Sequence, residues 1–128
     1  MAIIRGTSKN DILRGTTHND IIKGLGGNDF LFGNRGNDKL FGGAGFDKFF
    51  FAPGSGRDEV FDFKHGQDKI GISKAYGWAT KQEVLQDAAS SSGGDTQIGL
   101  NHNDPGADSP RIIIFGLDHL QASDFFFF

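Results

Sequence analysis

One apolar position recurs at every ninth residue through the first part of the chain, at Leu13, Ile22, Leu31, Leu40 and Phe49. An aspartate stands two places before each, at Asp11, Asp20, Asp29, Asp38 and Asp47, and a glycine opens each unit, at Gly6, Gly15, Gly24, Gly33 and Gly42. The residues around the apolar position predict a short strand with its central side chain pointing inward, and the six before them predict a turn. Two looser units follow, PGSGRDEVF ending at Phe61 and FKHGQDKIG ending at Gly71, and they add Asp58 and Asp68. Ordinary hairpins place Gly, Asn and Asp in turns. They do not require one fixed interval with aspartate in the same slot every time.

A nine-residue unit cannot hold itself together. Burying its single inward Leu, Ile or Phe contributes roughly 1.5 to 3 kcal/mol, whereas fixing nine backbones costs on the order of 9 to 18 kcal/mol. Stacking the units adds ladder hydrogen bonds but also aligns carboxylates of like charge, so the repeat needs a cation. The available donors are carboxylates and turn carbonyls, without cysteine and without a repeated histidine. Hard oxygen donors in a flexible cage select Ca²⁺ over zinc, copper or magnesium. Asn10, Asn19, Asn28 and Asn37 also repeat, and are expected to serve left-handed turn geometry rather than the ion.

Composition sharpens this picture. Of 16 acidic residues, 14 are Asp and 2 are Glu, which places carboxylates on short side chains in turns rather than on helix faces. A net charge of -3 with interspersed Lys and Arg gives neither a nucleic-acid patch nor an acidic tail. The 128 residues fit one domain. No apolar run at Met1–Gly6 reads as a secretory signal peptide and no stretch reads as a membrane span, so export would be directed from elsewhere in the chain.

After Ser73 the repeat is gone. Thr80-Lys81-Gln82-Glu83 is a capping box ahead of Val84, Leu85, Ala88 and Ala89, predicting a helix from about Lys81 to Ser90. Thr96–Leu100 and Arg111–Phe115 predict a hairpin. The loop between them, Asn101–Asp108, faintly follows an EF-hand pattern, but Pro105 occupies a ligand slot and it reads as a plain loop. His18, His65, His102 and His119 show no zinc-ligand spacing and no G-x-S-x-G elbow occurs, so the chain reads as a binding module rather than an enzyme.

The units resemble the RTX (haemolysin-type) calcium-binding repeat, closely from Gly6 to about Phe50 and more loosely to Ile72. The stretch from Phe51 to Ile70 is similar to the segment after the repeats in serralysin-type proteases and in accessory modules of alginate epimerases. The resemblance implies an all-β fold: a right-handed parallel β-roll of nonapeptide repeats over residues 1–72. A C-terminal cap over 73–128 follows, containing one short helix and a β-hairpin and forming one structural unit with the roll. It implies that stacked units are two apart, with roughly three to five Ca²⁺ ions between turns.

The resemblance also implies the ligands. The earlier turn gives carbonyls from its second and fourth residues, the later turn from its first and third, and both give their aspartate. The best-matched site uses Leu25, Gly27 and Asp29 with Gly42, Ala44 and Asp47. Two more use Thr7, Lys9 and Asp11 with Gly24, Gly26 and Asp29, and Thr16, His18 and Asp20 with Gly33, Arg35 and Asp38. Looser sites join Asn34, Gly36 and Asp38 to Pro53, Ser55 and Asp58, and Gly43, Gly45 and Asp47 to Phe63, His65 and Asp68.

On such a roll Phe30, Phe32 and Phe50 point outward, and a helix or closing strand from the segment after Ser73 is expected to cover them. The ending Asp124–Phe128 resembles the C-terminal signal read by a type I (ABC-transporter) secretion machinery, and doubles as a candidate closing strand. The implied function is a secreted, extracellular calcium-binding module that folds on calcium binding and supports type I secretion. The alternative is a polysaccharide-binding accessory module of a carbohydrate-active enzyme, with neither nucleic acid nor membrane insertion expected.

Overall fold

The computed structural model describes residues 1–100 and 110–128, and the EF-hand-like loop Asn101–Asp108 lies outside the described residues. Eight short strands follow the repeat: β1 (Ile3–Arg5), β2 (Ile12–Arg14), β3 (Ile21–Lys23), β4 (Phe30–Phe32), β5 (Lys39–Phe41), β6 (Lys48–Phe51), β7 (Arg57–Val60) and β8 (Lys69–Ile72). They alternate between two parallel sheets, so a strand pairs with the strand two units away. Ile4 registers with Ile22 and Ile22 with Leu40, while on the other sheet Leu13 registers with Leu31 and Leu31 with Phe49. This is the expected parallel β-roll. Strand β1 precedes the first nonapeptide, and Ile3-Ile4-Arg5 extends the pattern backward by one strand.

From β1 to β5 the roll has a one-residue-wide core, which widens at β6 and β8 to take in Phe51 and Ile72. Ile22, Leu31, Leu40, Phe49, Val60 and Ile70 are all fully buried. Ile4 and Leu13 at the first turns are only half-buried, because among the described residues β1 and β2 are the edge strands of their sheets.

The second half extends both sheets. Strand β9 (Ala89–Ser92) and β10 (Asp95–Gly99) are antiparallel, β10 pairs antiparallel with β11 (Arg111–Ile114), and β11 lies parallel to β7 in the even-unit sheet. Strand β12 (Phe125–Phe127) lies parallel to β8 in the odd-unit sheet. The buried side chains of Ile98, Leu100, Ile112, Ile114, Val84 and Phe125 continue the roll's core without a break.

The predicted helix is shorter than expected. Thr80 caps it, its side chain accepting from the Glu83 N–H at 3.2 Å; one α-turn, α1 (Lys81–Glu83), passes into a π-turn over Val84–Ala88, and Ala89–Ser92 turns into strand. Pairing with β10 outcompetes continuation of the helix. The helical turn packs on β9 and β10, not on the outward phenylalanines.

Those phenylalanines are covered differently from the expectation. Phe32 stacks on Phe50 at 4.5 Å, and Phe126 and Phe128 meet Phe50 edge-on at 5.7 and 5.3 Å. Strand β12 therefore joins the edge of the sheet and lengthens an aromatic ladder rather than lying across its face. Arg14 over Phe32 and Lys48 over Phe30 cover its ends, and Phe30 remains 38% exposed. Residues at the same register of successive parallel strands are cross-strand neighbours, so the repeat itself stacks the rings.

Candidate metal centre

The stacked turns are tied by two side-chain ladders that run in opposite senses. Each aspartate's own N–H donates to Oδ1 of the aspartate two units later: Asp11 to Asp29 (2.8 Å), Asp20 to Asp38 (2.8 Å), Asp29 to Asp47 (2.9 Å), Asp38 to Asp58 (2.9 Å) and Asp47 to Asp68 (3.0 Å). Asparagine works the other way. Asn10 Oδ1 accepts from the Asn28 N–H, Asn28 from Phe46, Asn19 from Asn37 and Asn37 from Arg57. None of these asparagines is left-handed, contrary to expectation; the left-handed positions are the second and fourth of the middle units, Leu25 (φ 73), Gly27, Asn34 (φ 66), Gly36, Gly43 and Gly45. Asparagine serves the repeat by holding the next turn, not by bending its own.

With Oδ1 occupied, the second carboxylate oxygen decides the chemistry. In the first two units it is satisfied by the protein: Asp11 Oδ2 accepts from the Thr7 N–H at 2.6 Å and the Thr7 hydroxyl at 3.0 Å, and Asp20 Oδ2 accepts from Thr16 in the same way at 2.6 and 2.9 Å. Asp68 Oδ2 accepts from the Lys64 N–H at 3.0 Å. In the middle units no donor reaches it. Oδ2 of Asp29, Asp38, Asp47 and Asp58 is buried without a hydrogen-bond partner, in side chains that are 0% exposed. A buried unpaired carboxylate oxygen is costly.

Protonation behaviour follows from this division. Burial, reinforced by neighbouring carboxylates, pushes Asp38 up to about 6, Asp47 to about 7 and Asp58 to about 8, and raises Asp29 and Asp68 as well. At Asp20 burial also pushes upward, but the Thr16 and Ala2 donors outweigh it and the net shift is downward.

Several predicted donors converge. A Cβ added at Gly24 would collide with both Asp29 Oδ2 and the Gly42 carbonyl, which puts two oxygens of the best-matched set around one point. The same holds at Gly6 for Asp11 Oδ2 and the Gly24 carbonyl, and at Gly15 for Asp20 Oδ2 and the Gly33 carbonyl. The Leu25 carbonyl accepts from the Ala44 N–H at 2.8 Å, and the Thr7 carbonyl from Gly26 at 3.1 Å. Lys9 and His18 stand at the fourth position without left-handed backbone, and their N–H groups donate to the Thr7 and Thr16 hydroxyls at 3.0 and 3.1 Å. Arg35 is exposed, and its neighbour Gly36 packs against the turn of His18.

The later sets are less regular. Around Gly33 the three nearest atoms all belong to Asp38, so the Pro53 carbonyl is not among them. Ser55 is buried and its hydroxyl bonds Tyr76 at 2.9 Å. Sequence reasoning missed Asp62, whose carboxylate accepts from Gly42 and Gly43 N–H groups at 2.9 Å each and holds that turn from one strand further along. The insertions that displace it from the nine-residue frame hid its role. His65, whose carbonyl was a predicted ligand, directs its ring away toward Asp124.

Buried, like-charged oxygen donors in glycine turns define a cation-binding parallel β-roll. A family model described as the RTX calcium-binding nonapeptide repeat matches residues 3–22 and 14–49. The R3 subunit of AlgE6, a mannuronan C5-epimerase of Azotobacter vinelandii, is 30% identical over 94% of this chain and 80% of that one, with a TM-score of 0.60. The R2 subunit of the same enzyme is 28% identical over 97% and 91%, with a TM-score of 0.63. This chain belongs to the RTX calcium-binding nonapeptide repeat family. The extracellular lipase LipA of Serratia marcescens shares the fold at 21% identity and a TM-score of 0.56, this chain corresponding to 20% of its length. No curated protein sequence matches.

Proposed function

We propose that this chain is a calcium-binding module, non-catalytic in itself, that folds when Ca²⁺ enters between its stacked turns. The observation that carries this reading is the set of four buried Oδ2 atoms, on Asp29, Asp38, Asp47 and Asp58, that no protein donor satisfies. The donor set suits the ion: carboxylates and glycine-turn carbonyls, with no soft ligand among them. Asp29 and Asp47, with carbonyls from Leu25, Gly27, Gly42 and Ala44, would hold one ion. Asp38 and Asp58, with Asn34, Gly36, Pro53 and Ser55, would hold another on the opposite side. The sets built on Thr7, Lys9 and Asp11 and on Thr16, His18 and Asp20 would bind more weakly, since Thr7 and Thr16 already occupy their aspartates. Gly43, Gly45 and Asp47 with Asp68 form the remaining candidate.

Calcium titration followed by far-ultraviolet circular dichroism tests the reading. The expected result is a transition to a β-rich form in millimolar Ca²⁺ that Mg²⁺ does not reproduce and chelation reverses. A metal-free chain melting like the calcium-loaded one would exclude it.

Secretion through a type I machinery extends this reading. A chain that folds only in millimolar calcium stays threadable inside a cell and folds outside it. The segment 124–128 is the candidate signal; in the fold Asp124 and Phe125 are buried and β12 is paired with β8, so a transporter would have to read it before folding. Moving residues 73–128 onto an unrelated passenger tests this: export of the fusion, lost when 124–128 are removed, supports it.

A second reading rests on a cleft of about 550 Å³ floored by Phe32, Phe50 and Phe128 and edged by Asn34 and Arg35. Aromatic faces beside a guanidinium suit an anionic polysaccharide, and the two modules of similar structure come from a mannuronan C5-epimerase. Calorimetry with oligomannuronate and with a neutral glycan distinguishes this binding from none.

A further inference from the structure

The four histidines show no metal-ligand spacing along the chain, yet the fold brings two of them together. His65 sits in the turn between β7 and β8, while Asp118 and His119 sit in the turn after β11. One ligand atom from each of His65, Asp118 and His119 lies within 4.8 Å of the other two, and this is the group of such residues found among the described residues. The two imidazole rings are 5.4 Å apart. All three side chains are open to solvent, at 36%, 74% and 59% exposure, so an ion has access and the side chains have room to close on it.

A second observation concerns the orientation of His65. Its Nδ1 lies 2.8 Å from Oδ1 of Asp124, a carboxylate only 1% exposed, whose Oδ2 accepts from the Gln121 N–H at 2.8 Å. A carboxylate in that setting accepts, so Nδ1 carries the proton and Nε2 carries the lone pair. This is the outer-shell arrangement that fixes the tautomer of a metal-binding histidine. At His119 the Asp118 carboxylate lies 2.9 Å from Nδ1 and the Gln121 amide 3.0 Å from Nε2; both contacts are made by exposed side chains, so a metal would take the ring nitrogen from the amide and draw the carboxylate away from Nδ1.

We propose that His65, Asp118 and His119 form a Zn²⁺ site, separate from the calcium turns, with Asp124 as the positioning residue for His65. Two imidazoles and one carboxylate are a zinc donor set that leaves a fourth position for water, and they differ in kind from the all-oxygen turns that suit calcium. Ligand atoms around a tetrahedral zinc at about 2.0 to 2.1 Å must close up from their present spacing. Rotation of the exposed Asp118 and His119 side chains supplies that movement without touching the core. The ion would clip the last turn of the roll to the segment that leads into β12.

The test is calorimetric titration of Zn²⁺ into the full chain held in saturating Ca²⁺, with circular dichroism confirming the fold of each variant. One saturable zinc per chain is expected. His65→Ala, His119→Ala and Asp118→Asn should each weaken it by at least about tenfold. Asp118 is largely exposed, so Asp118→Asn keeps the proposal open to refutation even if a histidine variant misfolds. No saturable uptake by the wild type, or Asp118→Asn and His119→Ala binding as tightly as wild type, overturns the site. Failure of the calcium reading would appear separately, in a calcium titration without zinc, so the two outcomes are distinguishable.

Discussion

The first two nonapeptides and the middle ones share a period, a register and an aspartate, but they close their turns differently. In the first two, a threonine at the second position donates its N–H and hydroxyl to the unit's own carboxylate. In the units of Asp29, Asp38, Asp47 and Asp58 that position is Leu, Asn or Gly with left-handed backbone, and the carboxylate is buried without a donor. A single side chain thus decides whether a turn satisfies its own carboxylate or leaves it without a donor. The threonine turns also sit where the core is thinnest, at half-buried Ile4 and Leu13, where coupling to an ion would stabilise least.

The largest expected effect comes from removing calcium. Chelation should abolish the cooperative thermal transition of the whole chain, because the roll's core is one side chain wide from β1 to β5 and the threonine turns stack only on glycine turns. Survival of a melting transition confined to residues 1–23, seen by amide hydrogen exchange, would break the comparison in favour of independent threonine turns.

Next in size is a pair of substitutions. Asp47→Ala should raise the calcium concentration at the folding midpoint by roughly tenfold or more, corresponding to about 1.4 kcal/mol per decade, and Asp11→Ala by far less. Asp47 lies between two stacked neighbours and lacks a donor on Oδ2, whereas Asp11 is at the first turn and satisfied. Equal shifts in the two variants would contradict the division.

The pH response sharpens it further. In the metal-free fold Asp38, Asp47 and Asp58 are pushed up to about 6, 7 and 8 from an ordinary value of 3.8, so the folded state holds protons that the unfolded chain has lost. That stabilisation is complete below the unfolded value and disappears as pH rises through the folded values. In a chelator, where the transition is lost at pH 8, acidification to pH 5 should therefore bring a melting transition back. In saturating calcium the same change should not raise the melting temperature, because protons and the ion compete for the same oxygens. Melting curves with the same pH trend in both conditions would show that these carboxylates do not bind the ion.

The smallest effect tests the backbone. Leu25 holds φ 73 with its side chain 48% exposed, so Leu25→Gly removes left-handed strain at little loss of packing and should stabilise the calcium form by about 1 kcal/mol. Thr16→Val should cost a similar amount through loss of the hydroxyl donor to Asp20. Both are read from calcium-saturated denaturation curves.

Much of the roll was legible because its period is local. The nine-residue spacing of Leu13 through Phe49 specified the strands, their inward residues and, with the resemblance, the pairing two units apart. The threonine at positions 7 and 16 was visible too, but sequence alone treats it as a turn residue, since its value lies in a carboxylate four residues on. What escaped notice depends on distant residues meeting. Ala89 and Ser90 read as the end of a helix until β10 is beside them. Asp62 falls outside the frame, and His65 and His119 acquire a relation only when β11 and β12 bring their turns together.

The aspartate ladder has a direction, and that gives the chain an order of completion. Every aspartate amide from Asp11 to Asp47 is held by a carboxylate that comes later in the chain, and the last of these, Asp68, is held within its own turn by Lys64. No turn from Asp11 to Asp47 is therefore finished until the turn two places later in the chain is in place. The final turn acts as a keystone, so the structure locks from its C-terminal turns back to its N-terminal ones.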